Sequence, residues 1–186
     1  MNLALLLVLL AACVVMMLIE RMGAPTTLLL TFRGDIKRET LFLAQYGQAV
    51  CTAIAAALIW QFDPPRRSYV IPLIAAVTAA SVGAFLLKRL LGRVRPRREY
   101  AGRFLGPTLR HANWRESFPS SHSACAVALT VALTHIYPQA TATFWTLALT
   151  TAVLRYVLDA HWPSDVIGGI ALGYGVAWLV IRAFGV

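Results

Sequence analysis

Three short clusters in this 186-residue sequence gather side chains that could bind a phosphate and act on it. The first runs from Lys88 to Arg95 and Pro96. If the preceding helix continues through it, the seven-residue spacing is close to two turns, so both cations project from one face until Pro96 disfavours continuation. Arginine offers phosphate oxygens a planar fork and lysine a point charge; a basic segment snorkelling to lipid phosphates is the alternative. The second cluster is Phe118-Pro119-Ser120-Ser121-His122, directly before an apolar run. Ser120 is placed as an N-cap, where free backbone N–H groups and the positive helix end converge on an anion. His122, in the first turn, is close enough to exchange a proton with that anion, although an ordinary capped helix with an interfacial histidine has the same sequence. The third cluster spans Arg155, His161, Pro163 and Asp165. Pro163 suits the first turn of a helix, which puts His161 just before it and Asp165 near its start. A carboxylate four residues on can hold the imidazole in one tautomer and leave the other nitrogen free; a structural salt bridge is the alternative.

Jointly the clusters supply two histidines, a carboxylate and at least three cations. One histidine can attack phosphorus and the other can protonate the leaving oxygen, while the cations stabilise the equatorial oxygens. Such a scheme needs no metal and no cofactor, and the carboxylates near the clusters are too few for a two-metal site.

The elements that must position these residues are apolar. With 59% hydrophobic and 13% charged residues and a mean hydropathy of +0.67, the composition excludes both an ordinary soluble globule and a disordered chain. Apolar runs cover residues 3–19, 43–60, 68–87, 120–137, 143–159 and 166–184. At about 20 residues per crossing they predict an all-α bundle of six transmembrane helices, one membrane-embedded domain over residues 1–186, with the clusters inside 88–165. Trp60, Tyr69 and Tyr137 with Pro138 mark membrane edges and bends. Gly169 and Gly173 form the small-residue spacing that lets transmembrane backbones approach, and this surface serves either the chain's own bundle or a partner, leaving the oligomeric state open. Cys13, Cys51 and Cys125 lie in apolar runs, which argues against disulfides and metal ligation. Leu10-Ala11-Ala12-Cys13 resembles a lipoprotein cleavage box, but no basic residue precedes the run and it continues past the cysteine, so an uncleaved first helix is expected.

Six crossings put loops 20–42, 88–121 and 159–165 on one side. That side holds 14 of the 17 Lys and Arg residues, nine of them between Lys88 and Arg115; Arg66, Arg67 and Arg182 lie on the other. The net charge of +9 therefore suits an anionic lipid head group at the bilayer surface better than nucleic acid. Taken as a topology signal, the imbalance would make the crowded side cytoplasmic.

The pattern K-x6-R-P, P-S-S-H and R-x5-H-x3-D, in that order, resembles the three-part signature of the type 2 phosphatidic acid phosphatase family, relatives of the soluble acid phosphatases and vanadium haloperoxidases. The resemblance implies His161 as a nucleophile forming a phosphohistidine, Asp165 as its orienting partner and His122 as general acid. It implies that Lys88, Arg95, Ser120, Ser121 and Arg155 hold the phosphate. Two positions depart from the family pattern: Ser121 replaces a glycine, which keeps the backbone N–H, and Leu154 replaces a serine, which removes a hydroxyl. The other loop cations, Arg89, Arg93, Arg97, Arg98, Arg103, Arg110 and Arg115, together with His111, are expected mostly at solvated or lipid-facing surface. His135 is expected to be packed and hydrogen-bonded.

The expected activity is metal-independent hydrolysis of a lipid phosphomonoester or diphosphate. Undecaprenyl diphosphate, phosphatidylglycerol phosphate, phosphatidic acid and lipid A phosphates are the substrates of bacterial members. A phosphotransferase with the same intermediate and a non-enzymatic head-group-binding protein are the rivals. The resemblance further implies a bacterial inner-membrane protein with its site on the extracytoplasmic face and both termini cytoplasmic, the reverse of what the charge imbalance suggests.

Overall fold

The computed structural model of the chain describes residues 2–28, 30, 32–158 and 160–185. Asp159, which the sequence leaves without a role, lies outside the described residues. Among the described residues seven α-helices follow one another: α1 (Leu3–Arg21), α2 (Gly34–Leu43), α3 (Ala49–Phe62), α4 (Val70–Leu91), α5 (Ser121–Ile136), α6 (Thr141–Val157) and α7 (Pro163–Ala183). The six apolar runs become α1 and α3 to α7, and the short, polar α2 is an addition within the first loop. Among the described residues a single antiparallel bridge, Arg93 with Phe104, is the only strand-type pairing.

The all-helical class agrees with the sequence, whereas the count of six crossings is not reproduced. By length and composition three segments among the described residues can cross a membrane: Leu3–Arg21, Pro64–Leu91, in which a 3-10 turn over Pro64–Tyr69 leads into α4, and Pro163–Ala183. Ala49–Phe62 and Ser121–Ile136 are apolar but shorter. The 16 residues of α5 rise about 24 Å, less than a hydrocarbon core of roughly 30 Å. The reason lies in its surroundings. Packed against α4, α6 and α7, α5 is buried along nearly its whole length, so neighbouring helices rather than lipid set its extent.

Small side chains permit that burial. Ala124, Ala126, Ala128 and Ala132 on α5 are fully or almost fully buried, and α7 meets them with Gly169 and Gly173. A Cβ on Gly169 would fall 2.5 Å from the Ser120 carbonyl oxygen, and one on Gly173 would fall 2.2 Å from that of Ala124. The Gly169–Gly173 spacing thus sets a close crossing of α7 over α5 within the chain. On the outside, Leu7, Val8, Val14, Val15 and Leu18 of α1 and Val82, Phe85 and Leu86 of α4 are exposed, an apolar surface of the kind that faces lipid.

Candidate active site

Loops 20–42, 88–121 and 159–165 meet at one end of the bundle. Glu20 bonds Ser164, Tyr156 at the end of α6 donates to the Thr26 carbonyl at 2.8 Å, and Trp162 Nε1 donates to the Val94 carbonyl at 3.0 Å. His161 lies in the middle of these connections and is 2% exposed.

The first cluster is not a continuous helix. Helix α4 stops at Leu91 because Gly92 adopts a left-handed φ of 61° and closes the last turn on the Lys88 carbonyl at 3.0 Å. A side chain at Gly92 would also collide with Arg115 and with the Gly106 carbonyl. Lys88 and Arg95 therefore do not share a helical face, contrary to the expectation from their spacing. Loop bonds gather them instead: Arg95 N donates to the Trp114 carbonyl at 2.8 Å, and Ser117 N to the Arg93 carbonyl at 3.0 Å. Arg95 then reaches the Asn113 and Ala160 carbonyls, at 2.7 and 3.1 Å, the second of them directly beside His161. Lys88, itself buried, donates to the Glu116 carbonyl at 2.9 Å.

The second cluster opens α5 as its residue types require. Ser120 is the N-cap and its hydroxyl accepts from the backbone and side chain of Ser123, at 3.4 and 2.9 Å. Because Ser120 is fully buried, the structure gives its hydroxyl the work of a cap, and the half-buried Ser121 and His122 form the accessible start of the helix. Ser120 N also donates to the Asp165 carbonyl at 2.9 Å, which fastens the second cluster to the third.

In the third cluster Pro163 stands in the first turn of α7 with Asp165 two residues behind it. Asp165 Oδ2 accepts from Trp162 N at 2.9 Å and from the Ser117 hydroxyl. His161 Nδ1 is 3.6 Å from the same oxygen and has no hydrogen-bond partner. Since Nδ1 faces the carboxylate, Nε2 is the nitrogen turned away from it.

The electrostatics agree with a phosphate site. Burial pushes the His161 imidazole down to about 3; Asp165 opposes the shift, and Lys88 and Arg95 add to it. Burial also holds the Arg95 guanidinium below its ordinary range. Arg155, Lys88 and Arg95 all act on His122, so the three cations and both histidines occupy one electrostatic neighbourhood. Arg155 Nε is buried without a hydrogen-bond partner. Such a cluster repels metal cations and attracts an anion with several oxygens.

Sequence reasoning placed Arg93 among the surface cations and passed over Glu20, Ser117 and Ser164. In the structure Arg93 is 3% exposed, with Nη1 2.5 Å from Asp165 Oδ1 and 2.7 Å from Ser164 Oγ, and Nη2 2.7 Å from Glu20 Oε2. A signal for Glu20 was present, because a lone carboxylate closing a long apolar helix is costly to keep at a membrane. Of the remaining loop residues, Arg98, Arg103 and Arg110 are exposed as expected, and His111 bonds Glu116 at 2.9 Å. Instead of being packed away, His135 is exposed beside the Tyr69 ring, with centroids 5.9 Å apart.

Residues 69–185 match the model of the PAP2 superfamily. The chain is 37% identical over 103 residues to the lipid A 1-phosphatase of Rhizobium etli, covering 54% of this chain and 44% of that protein. It is 28% identical over 148 residues to the undecaprenyl-diphosphatase of Sulfolobus acidocaldarius, covering 76% of this chain and 68% of that protein. The chain thus spans less than half the length of the Rhizobium relative. Two solved structures share the fold, each with a TM-score of 0.64. LpxE of Aquifex aeolicus is 23% identical, covering 81% of this chain and 88% of that one. A phosphatidylglycerolphosphate phosphatase of PAP2 type from Bacillus subtilis is 21% identical, covering 98% and 92%.

Proposed function

The chain belongs to the PAP2 superfamily, and on that premise we propose that it is a membrane lipid phosphatase that removes phosphate from lipid phosphomonoesters or diphosphates through a phosphohistidine. The observation that carries this reading is that Lys88 and Arg95 act on both histidines and Arg155 on His122, with Asp165 behind His161.

In the first step His161 Nε2 attacks phosphorus, a P–N bond forms, and the bond to the lipid oxygen breaks as that oxygen takes a proton from His122. Lys88, Arg95, Arg155 and the N–H groups at the start of α5 stabilise the charge on the equatorial oxygens. Asp165 stabilises the positive charge that His161 acquires. In the second step His122 takes a proton from water, the water oxygen attacks phosphorus, and the P–N bond breaks to release inorganic phosphate. The apolar outer surface of the helices keeps the lipid chains in the bilayer while the head group meets the basic loop.

A panel of purified lipid phosphates and diphosphates, including lipid A 1-phosphate, undecaprenyl diphosphate and phosphatidylglycerol phosphate, tests the reading by phosphate release. His161→Ala abolishes release with lipid binding retained; release at the parent rate overturns the mechanism. Labelled phosphate appearing on an acceptor lipid in place of free phosphate would make the protein a transferase. Our reading also puts six crossings in the bilayer, the site on the extracytoplasmic face of a bacterial inner membrane and both termini in the cytoplasm. In support, nine of the basic residues lie in or beside the phosphate-binding segment and so need not report topology. A reporter fused after Val186 that proves to be exported would reverse the orientation.

A further inference from the structure

The first helix lies outside the segment that matches the superfamily, residues 69–185, yet its end is bonded into the catalytic loop. Glu20 Oε1 accepts from Ser164 N at 2.9 Å; Oε2 accepts from Ser164 Oγ at 2.5 Å and from Arg93 Nη2 at 2.7 Å. Arg93 passes the contact on to Asp165 Oδ1 at 2.5 Å. The side chains of Glu20, Arg93 and Asp165 are 3%, 3% and 0% exposed. Phe104 and Trp162 lie over the guanidinium, their ring centroids 5.3 and 5.5 Å from its carbon. Three charges so enclosed are weakly screened, and a buried charge that loses its partner is left uncompensated.

We propose that Glu20 and Arg93 are positioning residues, a clamp between the end of α1 and the loop after α4 that fixes the Asp165 carboxylate behind His161. Asp165 has two oxygens with different tasks. Oδ2 faces His161, Trp162 N and Ser117, whereas Oδ1 is held by Arg93. Without Arg93 the carboxylate could rotate and Oδ2 would leave His161. Without Glu20, Arg93 would have Asp165 as its one carboxylate partner among the described residues and would draw its charge away from the imidazole. Counted with Asp165, the set carries a net charge of −1, one carboxylate more than the guanidinium cancels, and this offsets part of the cation cluster on the other side of His161. As a finding about turnover the proposal rests on the phosphatase reading, but the state of the His161 ring can be observed without any substrate.

The experiment uses the full chain in detergent with 15N-labelled histidine. Glu20→Gln, Glu20→Asp, Arg93→Lys and, as a control on exposed α2, Glu39→Gln are compared with the parent by kcat, KM and the His161 nitrogen shifts. Glu20→Gln is expected to lower kcat by roughly ten- to a hundredfold, by analogy with the outer-shell partners that orient metal-ligating histidines. KM changes less than twofold, the His161 nitrogen shifts move, Glu20→Asp recovers part of kcat, and Glu39→Gln matches the parent. Parent-like kcat and parent-like His161 shifts in Glu20→Gln overturn the proposal, as does a loss of KM and kcat together with unmoved shifts. Should Glu20→Gln fail to fold, Ser164→Ala removes one member of the same bonded set without exposing a charge, and the same two outcomes decide. If the parent releases phosphate from no lipid in the panel, the phosphatase reading fails, and the nitrogen shifts still decide on the clamp.

Discussion

His161 Nδ1 stands 3.6 Å from Asp165 Oδ2, four residues along the chain, and has no hydrogen-bond partner of its own among the described residues. The pair is close enough for charge stabilisation and too long for a hydrogen bond, a state that contraction on phosphate transfer would improve. Asp165→Asn preserves the shape and removes the charge that stabilises a positively charged His161. A loss of kcat of about 10³- to 10⁴-fold is expected, comparable to that of other carboxylates that orient a catalytic histidine. Single-turnover phosphate release checks this; a loss under tenfold would remove Asp165 from the mechanism.

The depressed His161 titration has a definite sign. Burial disfavours the charged ring and pushes it from the ordinary 6.5 to about 3, so the proposed nucleophile stays neutral throughout the physiological range. Between these values an unfolded chain binds a proton that the folded chain does not. Folding stability from this group is therefore complete above about pH 6.5 and declines as pH falls toward 3. A nitrogen NMR titration of detergent-solubilised protein should show the His161 ring unchanged between pH 5 and 8. A midpoint near 6.5 would contradict the burial described here.

Arg155 presents a buried Nε without a hydrogen-bond partner, next to Arg95, Lys88 and His122. A guanidinium whose Nε lacks a partner among the described residues suits phosphate oxygens. Arg155→Ala is expected to lower kcat/KM by about 10²- to 10³-fold, as for the loss of one preorganised donor to a developing charge. Arg155→Lys keeps the charge, loses the fork and falls between. Product inhibition by inorganic phosphate should weaken in the same order, which separates phosphate binding from loss of fold.

How much of this was legible in the sequence differs residue by residue. The helix starts at Ser120 and Pro163 were readable because capping chemistry is local, and Asp165 fell near the helix start as its position required. The course of the chain from Lys88 to Arg95 was not readable from spacing, since one left-handed glycine, Gly92, ends the helix that the spacing presupposed. Arg93 looked like one more loop cation. Its burial depends on Glu20, 73 positions earlier, and on Phe104 and Trp162, none of which is local to it. The six crossings read from hydropathy are not reproduced by helix length for a related reason, because hydropathy does not distinguish a helix facing lipid from one, such as α5, enclosed by its neighbours.

The crossing of α5 and α7 makes a prediction that tests the scaffold separately from the chemistry. The Gly173 Cα faces the backbone of Ala124 so closely that an added Cβ would lie 2.2 Å from the carbonyl oxygen and 3.0 Å from the Cα. Backbone in a packed helix cannot retreat as a flexible side chain can, so Gly173→Ala has to push α7 away from α5. That displacement would carry Asp165 and His161 with it, because Asp165 opens the same helix and its carbonyl receives Ser120 N. Overpacking of this kind costs about 1–3 kcal/mol, so a lower thermal midpoint in detergent is expected together with reduced phosphate release. Gly175, two residues on, supplies the control: its added Cβ would meet only Leu6 side-chain carbons at 3.5 Å, an ordinary contact. Gly175→Ala should therefore match the parent in both measurements. If Gly173→Ala matched it too, the close packing of α7 on α5 would not be what holds the catalytic loop in place.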